Sequence, residues 1–269
     1  MSMLDAVRVN SLGFRTDLML RLLEGGKAVD HGDYLTLHSP QNPLFWWGNF
    51  LLMPESALHD QADKWMSRFA KAFPGAAHVA IGVDGTGPST AAPPGYLEAG
   101  FRLECSTVMT AAAVRAPPHR NEAAQYRPLE TEDDWRQAVE LRIACADEPA
   151  SSREFSERRV ADQRRIAEAG HGSWFGAFQS GRLAAQLGLY SDGGPIARYQ
   201  NVETHPLARR QGLAGTLVYH AGRYGLDTLG ARALVMVADP GYSAIRIYRS
   251  VGFADRETQV ALQREPARA

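Results

Sequence analysis

The sequence predicts an α+β fold built on mixed α/β sheets and present as two tandem copies, and three observations carry this prediction. In the second half, apolar spacing switches between the alternation of strands and the helical period, in the order strand, two helices, three strands, helix, strand, helix, strand. A break rich in proline and polar residues separates that pattern from the first half. Displacing the chain by 152 residues lays Asn49 on Asn201, Pro54 on Pro206, Tyr96 on Tyr248, Gly100 on Gly252 and Phe101 on Phe253. Matches in one register, three of them within Tyr-x-x-x-Gly-Phe, mark a tandem duplication.

The length of 269 residues suits two ordinary domains. The boundary falls in AAAVRAPPHRNEAAQY, residues 111–126, where paired prolines and polar residues interrupt the apolar patterning. This gives a first domain over 1–115, a linker over 116–125 and a second domain over 126–269. With 45% hydrophobic and 22% charged residues the chain can bury a real core. Its 29 basic and 30 acidic residues nearly cancel, so no global field gathers nucleic acid or an anionic membrane, and neither is expected as a partner. Cys105 and Cys145 are too few for a disulfide framework and lack metal-ligand spacing; both read as small core residues of a protein in a reducing compartment. The first residues lack the basic segment and apolar run of a secretory signal, and no stretch is long enough to span a bilayer. A cytoplasmic protein is expected, with no metal.

Within the second half, residues 126–129 read as a short strand. Thr131 and Asp134 form a capping-box start to a helix carrying Trp135, Val139, Leu141 and Ile143. A second helix is predicted over 152–169. Residues 173–178 and 183–190 flank the turn 179–182 as an antiparallel hairpin, and 198–204 is a third strand. His205 and Pro206 lead into a glycine-containing turn and then a helix from Leu213 through Leu217, Val218, His220, Ala221 and Tyr224. A buried strand over 234–238, a short helix over 243–250 and a closing strand over 259–262 complete the half.

The turn reads Arg209, Arg210, Gln211, Gly212, Leu213, Ala214, Gly215. A helix N-terminus offers unpaired N–H groups and the positive end of the dipole, which favour a phosphate-bearing ligand. Small residues at 212, 214 and 215 let the backbone approach a pyrophosphate, and the two arginines add charge-assisted donors with no acid in between.

This segment resembles the acyl-CoA-binding motif of the GNAT N-acetyltransferase superfamily, Gln/Arg-x-x-Gly-x-Gly/Ala, through Arg209, Gly212 and Ala214. Val202, Glu203, Thr204, His205 and Pro206 resemble the family's cofactor strand and the loop after it. Ala244, Ile247, Tyr248, Gly252 and Phe253 match Ala-x-x-Leu-Tyr-x-x-x-Gly-Phe. Gly241 departs from the pattern, since many members carry Asn three residues before that alanine. The resemblance covers 126–269 and extends to the first half only through the repeat, implying two tandem GNAT-like acyl-CoA N-acyltransferase domains. In the first copy, residues 57–62 read Ala-Leu-His-Asp-Gln-Ala. The glycine and both arginines are gone, and Asp60 would repel a phosphate. This copy is therefore expected not to hold acetyl-CoA but to complete an internal pseudo-dimer, in a monomer or a homodimer. The aromatic residues Phe45, Trp46, Trp47 and Phe50 suit core or inter-domain packing, or the wall of an acceptor pocket.

What the resemblance implies is an N-acetyltransferase using acetyl-CoA as co-substrate. A primary amine of a small-molecule or peptide acceptor attacks the thioester directly in a ternary complex. The cofactor would lie along Val202, Glu203, Thr204 and the turn 209–215. A backbone N–H near Val202 or Glu203 would hold the oxyanion, and Tyr248 would protonate the leaving thiolate. The recurrence of this tyrosine as Tyr96 also admits a packing role. Glu203 is the first candidate base and His205 the second; Asp147 and Glu148 lie where the family often contacts the acceptor. No Gly-Lys-Ser/Thr, Gly-x-Gly-x-x-Gly or Gly-x-Ser-x-Gly motif supports a P-loop, a dinucleotide site or a serine hydrolase. The alternative is a catalytically idle acyl-CoA-binding sensor or scaffold.

Overall fold

A computed structural model describes residues 8–59, 61–87, 92–146 and 153–265. The chain divides into two compact units, one spanning Met109–Asp255 and the other holding the chain up to Val108 together with the segment from Arg256.

The first-half unit contains α1 (Leu12–Leu23), β1 (Lys27–Asp30), β2 (Leu35–His38), β3 (Phe50–Pro54), α2 (Ala62–Ala72), β4 (Val79–Asp84), α3 (Pro94–Glu98) and β5 (Arg102–Ala111). The Ser11 hydroxyl caps α1 by accepting the Phe14 N–H, and the Asp84 carboxylate takes the N–H groups of Asn10 and Ser11. Helix α2 buries Trp65 and Phe69, four residues apart and hence on one face. β1, β2 and β3 pair antiparallel, whereas β3 and β4 run parallel and stay in register from Leu51↔Ile81 to Pro54↔Asp84. The aromatic cluster of this half packs inside its own unit: Phe14 lies 5.9 Å from Phe50 and 6.5 Å from Trp47, and Trp46 stacks on His78 at 5.1 Å.

The second unit comprises β6 (Gln125–Pro128), α4 (Glu132–Cys145), α5 (Arg153–Glu168), β7 (Gly172–Gln179), β8 (Arg182–Tyr190), β9 (Ile196–Thr204), α6 (Leu213–Asp227), β10 (Ala233–Ala238) and α7 (Ile245–Val251). Its strands lie in the order β10-β9-β8-β7-β6, parallel only between β10 and β9. The Thr131 and Asp134 capping box forms as the sequence predicts, with Arg127 donating to both Asp134 carboxylate oxygens at 2.8 and 2.7 Å. Leu217, Val218 and Ala221 turn one face of α6 onto Leu187, Leu189, Ala197 and Leu234 in the sheet core.

The two halves share local geometry where they share sequence. After α3, Gly100 takes a φ of 80° and the Phe101 N–H returns to Tyr96 O at 2.9 Å; after α7, Gly252 takes 122° and the Phe253 N–H returns to Tyr248 O at 3.1 Å. Only glycine turns the chain this way without strain.

The last strand goes elsewhere than the sequence suggests. β11 (Ala254–Arg264), expected to close the second half, pairs antiparallel with β4 of the first-half unit, from Val260↔Val83 to Arg264↔Val79, and buries Val260 and Leu262 there. The order in that unit is β1-β2-β3-β4-β11-β5. Alternating apolar residues specify a strand and its buried face, but not its partner. The residues leading into the expected linker are tied to the second unit. The Arg115 N–H bonds Val251 O, its guanidinium bonds the carbonyls of Arg249 and Ser250, and the following residues lie against α6.

Candidate functional site

β9 and β10 pair only from Ile196↔Ala233 to Arg198↔Val235, so the remainder of β9 has no parallel neighbour along β10. On its other side β9 carries a bulge: Gln186 faces Glu203 and Gly188 faces Gln200, which leaves Asn201 and Val202 opposite Leu187 alone. Asn201 sits in the left-handed region at φ 45°, a conformation asparagine tolerates better than most residues. The bulge and the early end of the β9–β10 ladder leave Val202, Glu203 and Thr204 without a pairing partner along β10. The first-half unit has no counterpart, since β3 and β4 remain paired through Pro54 and Asp84.

This end of β9 leads into the N-terminus of α6. Pro206–Ala208 forms a 3-10 turn capped by His205, whose Nδ1 accepts the Leu207 N–H at 3.3 Å. Arg209 is extended, and Arg210 at φ 61° and Gly212 at φ 77° then lie in the left-handed region. The first intrahelical bond runs from Thr216 N to Gly212 O, so the N–H groups of Leu213, Ala214 and Gly215 precede it, and Gly212 has no side chain to cap them. No acid lies in the first turn of α6, and Arg209 and Arg210 are exposed beside it. Arg209 bends back, its Nε donating to Thr204 O at 3.3 Å. The Gln211 side chain accepts from Gln179 at 3.0 Å. These features suit a pyrophosphate.

The glycines are also required by the packing around them. A Cβ on Gly212 would lie 2.3 Å from His119 O, and one on Gly215 would meet Pro117 at 3.2 Å and Ile247 at 3.3 Å. Both are dictated by the segment crossing behind the turn and by α7, while half-exposed Ala214 keeps its side free.

Glu203 is largely buried, with 17% of its side chain exposed. Its Oε2 accepts from Gln186 Nε2 at 2.6 Å and its Oε1 from Arg142 Nη1 at 3.3 Å. Burial raises its pKa, opposed by Arg142 and by the Gln186 hydrogen bond. Arg142 also donates to the Asn201 side-chain oxygen when that amide is oriented to satisfy both groups. Gln186 is fully buried, gives its second N–H to Ala138 O and accepts from the Trp174 indole. Sequence reasoning missed Arg142, Gln186 and Trp174, which carry no motif and are brought together from α4, β8 and β7. Asn201 was visible in the repeat, though not as the bulge residue.

Tyr248 lies on α7, buried, and its hydroxyl has no hydrogen-bond partner among the described residues. Burial raises its pKa, as does neighbouring Tyr242, so the phenol holds its proton at neutral pH. Cys145, at the end of α4, contacts Thr204 O at 3.4 Å, and burial pushes its thiol up to about 11. Neither cysteine forms a disulfide. Asp147, Glu148 and Asp60 lie outside the described residues. Among the described residues no group of three or more His, Cys, Asp or Glu side chains could hold a metal ion, and no helix is long and apolar enough to cross a membrane.

Residues 135–253, which enclose the bulged strand, the turn and Tyr248, match the model of the acetyltransferase (GNAT) family. The second unit holds a GNAT acetyltransferase domain. The chain is thus an acyltransferase whose acyl group comes from an acyl-CoA. Among curated proteins, none matches it significantly in sequence. Solved structures share the GNAT fold over nearly its whole length. A GCN5-related N-acetyltransferase from Kribbella flavida is 17% identical with a TM-score of 0.62, covering 96% of this chain and 97% of its own. An acetyltransferase of the GNAT family from Novosphingobium aromaticivorans is 21% identical with a TM-score of 0.53, covering 89% and 92%. A tandem GNAT protein from the clavulanic acid biosynthesis pathway is 16% identical with a TM-score of 0.55, covering 95% and 89%. These likenesses establish the fold.

Proposed function

We propose that this GNAT protein transfers the acetyl group of acetyl-CoA to a primary amine of a small-molecule or peptide acceptor, by direct attack in a ternary complex. The observation that carries the reading is the parting of β9 from β10 beyond Arg198, immediately before a helix whose first N–H groups are open. The co-substrate supplies the activated thioester; this chain's residues hold it and manage charge and protons. The N–H groups of 212–215, with Arg209 and Arg210, receive the pyrophosphate. An N–H of the bulge, at Val202 or Glu203, donates to the oxyanion. The Glu203 carboxylate, its pKa raised by burial, accepts a proton from the acceptor's ammonium, which frees the amine lone pair to attack the thioester carbonyl. The Tyr248 hydroxyl gives its proton to the leaving thiolate. His205 is committed to capping the 3-10 turn through Nδ1, which favours Glu203 over it as base.

The first half reads as a tandem copy that has lost the reaction. Its matching helix ends support common descent, and its β3 and β4 stay paired through Pro54 and Asp84 where β9 and β10 part. Its role is structural, as half of an internal pseudo-dimer in a monomer or homodimer. The near-neutral charge and the absence of a disulfide support a cytoplasmic setting.

Calorimetric titration of acetyl-CoA into the wild-type protein and into Ala214→Glu tests the site. A carboxylate in the first turn of α6 suits the helix dipole, so the fold is retained while the anion site is blocked. Micromolar binding that Ala214→Glu abolishes supports the reading, and wild-type protein that binds no acetyl-CoA overturns it.

A further inference from the structure

Asn121 lies ahead of β6 in the second unit, and its contacts are with the turn 209–215. Its Nδ2 donates to Gln211 O at 2.8 Å, and its backbone N–H donates to Thr216 Oγ1 at 2.9 Å. Thr216 Oγ1 in turn donates to Gly212 O at 2.9 Å. Asn121 Oδ1 accepts the N–H groups of Ala123 and Ala124 at 3.1 and 3.0 Å, and because those groups can only donate, the amide cannot be reversed.

The geometry points to Asn121 as a positioning residue for acyl-CoA, which makes the segment leading into β6 part of the co-substrate site. The inference rests on the reading that the turn 209–215 receives the pyrophosphate. In a trans peptide the C=O and the following N–H lie in one plane and point in opposite directions. Holding Gln211 O toward Asn121 therefore turns the Gly212 N–H away from the segment, and holding Gly212 O toward Thr216 directs the Leu213 N–H out of the helix N-terminus. Without these anchors the turn, which carries Arg210 and Gly212 in the left-handed region, has other conformations open to it. A donor array fixed before the ligand arrives loses less freedom on binding. The contact is close enough to dictate sequence: the His119 carbonyl occupies the space any side chain at 212 would need.

Calorimetry on the full chain tests this, with acetyl-CoA as one probe and S-acetylpantetheine, which lacks the pyrophosphate, as the other. Asn121→Ala is expected to weaken acetyl-CoA about tenfold, the value of one hydrogen bond. Its affinity for S-acetylpantetheine and its ligand-free melting temperature should match wild type. Thr216→Val keeps the shape but removes the hydroxyl linking Asn121 to Gly212 O, and should reproduce the selective loss even if Asn121→Ala fails to fold. Acetyl-CoA affinity within twofold of wild type in both variants, or equal loss for both probes, overturns the positioning role while leaving the site reading intact. Wild-type protein that binds S-acetylpantetheine as tightly as acetyl-CoA overturns the site reading, and this inference falls with it.

Discussion

The indole of Trp174 donates to Gln186 Oε1 at 3.1 Å, and this bond orients the amide that Gln186 presents to Glu203. An indole N–H can only donate, so the amide oxygen must face it and the NH2 group must face the carboxylate. Replacing Trp174 by Phe keeps most of the packing and removes the donor. The expected result is a loss of about 1–3 kcal/mol in denaturant unfolding, the cost of a buried unsatisfied acceptor. Catalysis should fall as well, because the amide is then free to reverse and set its oxygen against Glu203.

Glu203 gives a pH signature. Its folded pKa is raised, first by burial, with Arg142 and Gln186 holding it back. As pH falls through that raised value the carboxylate takes a proton and ceases to act as a base, so wild-type kcat/KM should decline on an acid limb above the ordinary carboxylate range. Glu203→Gln should abolish this limb and lower the rate on the order of 10²-fold near neutrality. The deficit should narrow at high pH, where an amine acceptor is deprotonated without help. A pH–rate profile with the acceptor found in an amine screen checks both features.

Tyr248→Phe separates chemistry from binding. The backbone carbonyl that takes the Phe253 N–H remains, and only the hydroxyl is lost. The expectation is a kcat lowered on the order of 10²-fold with the acetyl-CoA dissociation constant unchanged, as for an interaction made in the transition state alone. Steady-state kinetics beside calorimetry makes the comparison. Unaltered kcat would leave Tyr248 the packing role that Tyr96 already has in the first half.

Asp134 links stability to acid. Its carboxyl is held well below the usual range, first by Arg127 and then by the N–H groups of Glu130 and Thr131, against the cost of burial. A depressed folded pKa means stability that is fully present above the unfolded value and lost as pH falls through the folded one. Asp134→Asn should therefore destabilise the protein by about 2 kcal/mol at neutral pH. The gap from wild type should close progressively below about pH 4, where the unfolded carboxyl begins to bind protons. Unfolding curves across a pH series measure it.

What the sequence disclosed was local. The Thr131 and Asp134 cap, the 179–182 hairpin turn and the end of α7 at Gly252 all formed where composition and period placed them, because each depends on neighbours a few residues away. Arg209, Gly212 and Ala214 were legible as a candidate phosphate turn because such a motif is contiguous. The rest depended on distance. Arg142 and Glu203 meet across 61 residues, and Asn121 reaches Gln211 across 90, so no spacing rule exposes either pair. The bulge was hidden for another reason: Asn201 and Val202 look like ordinary members of a strand, and one extra residue leaves the apolar pattern almost unchanged.

The placement of β11 beside β4 also bears on how the protein is made. A ribosome releases the first half of the chain well before the last, yet the sheet of that first unit lacks β11 until residues near Leu262 have been synthesised. During that interval β4 presents an unpaired edge, the kind of surface on which nascent chains associate with the wrong partner. Residues 109–255, by contrast, emerge as one contiguous stretch. The unit that matches the acetyltransferase family can therefore mature first, and the half that is synthesised first is the last to be finished.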